Sequence, residues 1–303
     1  MKYRIVHTTG YRYSEPASLS QNELCVTPRP TARLQVFDSR LTIDPEPQYF
    51  QQHDDFYGNT VHVFMIQHPH DALTITAAST VATNNEKTPE PEATMPWEQV
   101  AERLRQRATD EDFDASQFLF ASPLISLLPE AVAFARPSFA PHRPLLAGAV
   151  DLIQRIYTGF RYDKSATSLD TSIDQVLLKR RGVCQDFSHL AISCLRSLGL
   201  AARYVSGYLE TLPPPGKPKL VGYDASHAWI SVYLPNWGWV DLDPTNNMLC
   251  GESHIAVAWG RDYGDVTPVK GVVMGGGIHT LTVSVDVARV SNESAKRICP
   301  GVK

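Results

Sequence analysis

The sequence has no run approaching the roughly 20 consecutive apolar residues that a membrane-spanning helix needs. Its opening, MKYRIVHTTGYRYSEPASL, also lacks the continuous apolar core of a secretory signal. Positive charge is in short supply: 28 Lys and Arg stand against 32 Asp and Glu, so the chain encodes no basic footprint for a phosphate backbone or an anionic bilayer. Nucleic acid and membranes are therefore not expected as partners, which leaves small molecules and peptides. The cysteines, Cys25, Cys184, Cys194, Cys250 and Cys299, are odd in number and scattered, with no C-x-x-C pair to build a zinc ribbon or a redox couple. Free thiols in a cytoplasmic protein are the expectation. H-E-x-x-H is absent as well, and the HPH at His68 to His70 reads as a strand end, so neither metal nor cofactor is expected. No pattern specifies an oligomeric state.

What is present is α+β in character, and its period changes along the chain. Residues 1–83 read as an all-β domain: RLQVFDSRLTI and TVHVFMIQ alternate, placing Leu34, Val36, Val61, Val63 and Met65 on one face, with DDFYGN as a turn. Residues 84–96, rich in Pro and Glu with no apolar period, read as a linker. A core over 97–250 follows. WEQVAERLRQRA and LLAGAVDLIQRIY have helical spacing, and TSIDQVLLKRRG predicts a helix capped by Ser172 and terminated at Gly182. A stripe of Phe187, Leu190, Ala191, Cys194, Leu195 and Leu198, closed by Gly199, predicts a buried helix. Strands ARYVSGYL, SHAWISVYL and WVDLD come next. Residues 251–303 supply late strands that either complete the core or pack on the β domain.

Cys184 stands at the mouth of that buried helix, three residues before its apolar stripe begins. A thiol becomes a nucleophile as thiolate, and a helix N-terminus, the nearby Arg180 and Arg181, and above all an imidazolium favour that form. His189 is close in sequence, but five helical residues turn it about 140° away from Cys184. His227 is better placed, sharing a strand face with Trp229, Ser231 and Tyr233. An imidazole base needs an orienting partner, and Asp241 and Asp243 share the polar face of WVDLD. A hairpin centred on Pro235 sets Asp243 opposite His227, and a centre one residue earlier favours Asp241. Taken singly, a cysteine at a helix start, a histidine on a strand and an aspartate before proline are each usually structural. Together they suit nucleophilic catalysis, with Cys194 left as a core residue.

The segments GVCQDFSHLAISCLRSLGLAARYVSGY, DASHAWISVYLPNWGWVDLDPTN and WGRDYGDVTPVKG resemble three blocks of the bacterial transglutaminase-like proteins, a group that includes candidate cysteine proteases. YRYSEPASLSQNELCVTPRP resembles the β domain that precedes the core in that family, so the resemblance spans nearly the whole chain. It implies a papain-like core with Cys184 as nucleophile, His227 as general base and acid, and Asp243 as the orienting carboxylate. The expected reaction is acyl transfer from a peptide or amide through a thioester, with the Cys184 N–H and, as a second donor, Tyr162 stabilising the oxyanion. Water as acceptor gives a peptidase or amidase, an amine gives a transglutaminase, and a silent triad gives a binding scaffold. Hydrolysis is favoured, because amine transfer needs a route that admits an amine and keeps water out.

Overall fold

The computed structural model describes residues 1–85, 87–165, 171–211 and 226–290. Five strands come first: β1 (Lys2–Leu24), β2 (Leu34–Asp44), β3 (Tyr49–Asp54), β4 (Thr60–Ile66) and β5 (His70–Thr83). Four helices follow: α1 (Trp97–Gln106), α2 (Asp110–Ser116), α3 (Pro129–Ala135) and α4 (Leu145–Gly159). Next are β6 (Arg161–Tyr162), α5 (Ile173–Lys179), β7 (Arg181–Gly182) and α6 (Cys184–Ser197). The chain continues through β8 (Ala202–Leu209), β9 (Ser226–Leu234), β10 (Gly238–Asp243), β11 (Met248–Leu249), β12 (His254–Gly260), β13 (Val269–Gly275) and β14 (His279–Arg289).

β1 organises the seven-stranded antiparallel sheet. Its first half pairs with β5 and β14, and its second half with β4 and β13. The ladder with β5 breaks between Arg12 and Ala17, around Pro16, which has no N–H to donate. In β4 the buried residues are Val61, His62, Phe64 and Ile66, whereas Val63 and Met65 are only partly covered. The apolar face expected from alternation is thus largely inverted. Both sets of alternate residues in VHVFMI are apolar, and the bulkier Phe64 and Ile66 fill the space against Leu24 and Leu73. The turn read from DDFYGN is in place, with Gly58 at φ 72° and Asp55 Oδ1 accepting the Tyr57 and Asn59 N–H groups.

The five-stranded antiparallel sheet runs β11-β10-β9-β8-β12, so β12 closes one edge of it while β13 and β14 return to β1. The late strands therefore serve both sheets. Within the segment read as a linker, Thr94 is tied to the helical region: its Oγ1 donates to the Pro91 carbonyl and accepts from the Leu146 N–H. One apolar core runs through both regions, joining Tyr3, Leu34 and Val287 to Leu190, Ile230 and Leu242. α6 packs against β8 and β9 on one side and α3, α4 and α5 on the other, so Gln185 through Arg196 are all buried rather than a single stripe. Gly199, at φ 79°, ends it where the sequence places a terminator.

Candidate active site

α6 starts at Cys184 because the residues before it are built to start it. Val183 is extended, and the third helical residue, Asp186, reaches back to accept the Val183 N–H at 2.7 Å. That approach requires glycine at 182, where a Cβ would stand 2.7 Å from the Asp186 carboxylate. Gly182 consequently does not terminate α5 as the sequence suggested. Arg180 does so in the left-handed region at φ 53°, donating its N–H to the Val176 carbonyl. Nor are the two arginines directed to the thiol. The Arg180 guanidinium lies 4.9 Å over the Phe160 ring, and Arg181 reaches Asp163 at 3.8 Å. Cys184 itself is half-buried at the first position of the helix, where backbone N–H groups lack intrahelical acceptors.

His227, at the start of β9, lies between Cys184, which raises its pKa, and Asp243, whose Oδ2 is 2.7 Å from Nε2. With Nε2 engaged by the carboxylate, Nδ1 is the nitrogen left for the thiol. Burial alone would lower the imidazole pKa, but the bond to Asp243 and the influence of Cys184 outweigh it and push His227 up to about 10. Burial likewise acts to raise Asp243, and its bonds to His227 and His254 reverse the direction, holding the carboxyl well below the usual carboxylate range.

The β9–β10 hairpin differs from expectation by one residue. Leu234 pairs with Gly238 and Ser231 with Asp241, so the loop is Pro235–Trp237 and centres on Asn236, at φ 69°. Asp243 therefore falls beside Trp229 in the ladder and meets His227 diagonally on the shared face, within reach of an imidazole. Asp241 accepts instead from Trp229 Nε1 at 3.2 Å.

Two contributors escaped the sequence reading. His254, opening β12, donates from Nε2 to the same Asp243 oxygen at 3.1 Å; its Nδ1 lies 3.4 Å from the Gly251 N–H. Asn246 adds a side-chain N–H at 2.7 Å, while the Thr245 and Asn246 backbone N–H groups bind Oδ1 at 2.8 and 3.1 Å. The turn composition of DPTN signals Asn246. Nothing local signals His254, which arrives from another strand. His227, Asp243 and His254 are also the one group of three potential metal ligands among the described residues. Their separations of 2.7 and 3.1 Å are direct hydrogen bonds, shorter than the roughly 3.3 Å between ligands about 2.0–2.1 Å from a tetrahedral zinc.

The other candidates fall into place around this centre. β6 pairs in parallel with β7, setting Tyr162 beside Gly182 just upstream of the thiol. The Tyr162 ring, 46% exposed, packs edge-on to Phe187, and burial followed by the Cys184 thiol raises its hydroxyl pKa. His189 is buried elsewhere and accepts the Tyr263 N–H at 3.2 Å; desolvation pushes it down to about 4. Cys25, Cys194 and Cys250 are buried, and desolvation raises all three thiols. Cys299 lies outside the described residues. No helix among the described residues is long and apolar enough to cross a membrane.

Comparison with known proteins adds a family to this geometry. Residues 3–82 match the bacterial transglutaminase-like N-terminal region, and residues 132–244 match the transglutaminase-like superfamily. An uncharacterized Mycobacterium bovis protein is 42% identical over 301 residues, covering 94% of this chain and 92% of its own length. A protein-glutamine gamma-glutamyltransferase of Pseudomonas aeruginosa is 33% identical over 121 residues, which is 39% of this chain and 18% of that protein. The fold is that of a candidate cysteine protease from Cytophaga hutchinsonii, with a TM-score of 0.76, 21% identity, and coverage of 96% of this chain and 91% of that one.

Proposed function

The chain belongs to the transglutaminase-like superfamily, a family of thiol-dependent acyl transfer, and we propose that it hydrolyses a peptide or amide with Cys184 as nucleophile, His227 as general base and acid, and Asp243 as the orienting carboxylate. The observation that carries this reading is the His227–Asp243 hydrogen bond, with the Cys184 thiol at the start of α6 acting on the same imidazole. His227 takes the thiol proton, and the thiolate attacks the amide carbonyl. The resulting oxyanion faces the Cys184 backbone N–H at the helix N-terminus, with the Tyr162 hydroxyl as second donor. His227 then protonates the leaving amine. The thioester that remains is opened by water, whose proton His227 accepts, and the acid is released.

Asp243 works by position and charge. Its five hydrogen bonds fix the carboxylate, and the carboxylate holds the imidazole in the tautomer that presents Nδ1 to sulfur. The partial exposure of Cys184 supports water as acceptor. A second reading, transfer to a primary amine, is favoured by the similarity of part of the core to the Pseudomonas aeruginosa glutamyltransferase. The four described cysteines form no disulfide, which supports a reducing, cytoplasmic setting. A mass-spectrometric assay on a Gln-containing peptide library, run with and without a primary amine, tests the assignment. Hydrolysis predicts cleavage or deamidation that the amine does not divert. Amine-dependent cross-linked products would establish the second reading, and no product of either kind would contradict both.

A further inference from the structure

Two arginines are buried in the core region, and they are treated differently. Arg196 donates to three carbonyls, those of Ala202, Phe120 and Arg261, at 2.7–3.0 Å. Arg203, on β8, is 8% exposed and has no hydrogen-bond acceptor among the described residues; its Nε is buried without a partner. Its guanidinium is instead stacked between two indoles, 4.2 Å from the Trp239 ring and 3.8 Å from the Trp259 ring. Ser231, its cross-strand neighbour, does not accept from it, and the Ser231 Oγ is itself buried and unpartnered. Burial lowers the Arg203 pKa to about 9, outweighing Asp241, which acts on the guanidinium through space as its counter-charge. A buried cation with no acceptor bonded to its fork is costly.

Arg203 opens into a cavity of about 250 Å³ between the two sheets. The seven-stranded region contributes Arg33 to the lining; the five-stranded region contributes Trp239, Trp259, Asp241 and His254. We propose that this cavity binds a small monocarboxylate, its oxygens on the edge of the Arg203 guanidinium that the indoles leave open and its apolar part against Trp237 and Ala256 of the lining. The planar fork of arginine matches a carboxylate, and the volume suits a molecule smaller than a drug-sized ligand. Asp241 on the same wall disfavours a multiply charged anion such as phosphate. Because His254 both lines the cavity and bonds Asp243, the bound anion borders the triad without touching Cys184. The N-terminal sheet thereby acquires a role, as the wall that closes this site.

The test reads binding alone and so stands apart from the reaction assigned to Cys184. The full-length protein is titrated with sodium benzoate, with benzamide as the neutral analogue and inorganic phosphate as the alternative anion, using saturation-transfer NMR and tryptophan fluorescence. Saturable benzoate binding is expected, with benzamide and phosphate at least about tenfold weaker. Arg203→Lys, which keeps the charge and loses the fork, should weaken benzoate, and Arg203→Met should abolish binding. Should Arg203→Met fail to fold, the contrast between benzoate and benzamide in the wild type decides. Equal binding of the two, unaltered benzoate binding in Arg203→Lys, or no saturation by roughly 50 mM would overturn the proposal.

Discussion

Along β14 the first six residues are exposed, whereas along β8 seven of the eight are buried. Six consecutive residues point to alternate faces. The seven-stranded sheet therefore has both faces in water along part of β14, as along β3 and β13, where a polar side chain satisfies itself and a substitution costs little. The five-stranded sheet is covered by α6 on one face and by the N-terminal region on the other, so a polar group on it needs a partner inside the protein, which His227 and Asp243 have and Arg203 Nε and Ser231 Oγ lack. That difference explains where the proposed chemistry concentrates. His227, Asp241 and Asp243 all lie on the five-stranded sheet, and their bonds are specific because water is not there to replace them.

The contrast is most severely tested by removing the groups assigned to chemistry. Cys184→Ala and His227→Ala should each lower activity by on the order of 10⁴ or more, with the double variant scarcely worse, since nucleophile and base act as one unit. Additive losses in the double variant would separate the two residues. Asp243→Asn is expected to cost about 10- to 10³-fold in kcat, less than the roughly 10⁴ of a serine triad because a thiolate forms more readily, while Asp241→Asn costs little. A larger loss for Asp241→Asn would mean that the diagonal contact of His227 with Asp243 is not the functional one.

The same pair makes a prediction about pH. The folded-state value of His227, about 10, lies above the ordinary 6.5, so its protonated form favours the folded state in full below about 6.5. That contribution fades as pH rises towards about 10. NMR titration of the imidazole should place its midpoint well above neutral in the wild type and lower in Asp243→Asn. The smallest effects fall on bulk packing. Ile230→Val, in the buried β9, should destabilise by about 0.5–1.5 kcal/mol. Val283→Thr, 53% exposed on β14, should stay within about 0.5 kcal/mol. Denaturant melts that reversed this order would remove the distinction between the sheets.

The legible parts of the site were those whose physics is local. Cys184 stands where a helix begins, and His227 and Asp243 sit on strands joined by a turn whose residues mark it. The hairpin centre was misplaced by one residue because a proline marks a turn without fixing its length, and the left-handed Asn236 lengthens the loop. The contact of Asp243 with His227 was reached all the same, since a cross-strand partner and a diagonal one share a face. Gly182 was misread because its reason, the close approach of Asp186, is a contact rather than a pattern. His254 and Arg203 were not legible at all, as each gains its meaning from residues on other strands.

The pairing of Cys184 with His227 is tested most directly by iodoacetamide alkylation near neutral pH, followed by peptide mapping of all five cysteines in the wild type and in His227→Ala. A thiol held at a helix N-terminus by an imidazole should be labelled first, at Cys184, and its labelling should slow by about tenfold or more when His227 is removed. Faster labelling of Cys25, Cys194, Cys250 or Cys299, or a Cys184 rate indifferent to His227, would contradict it.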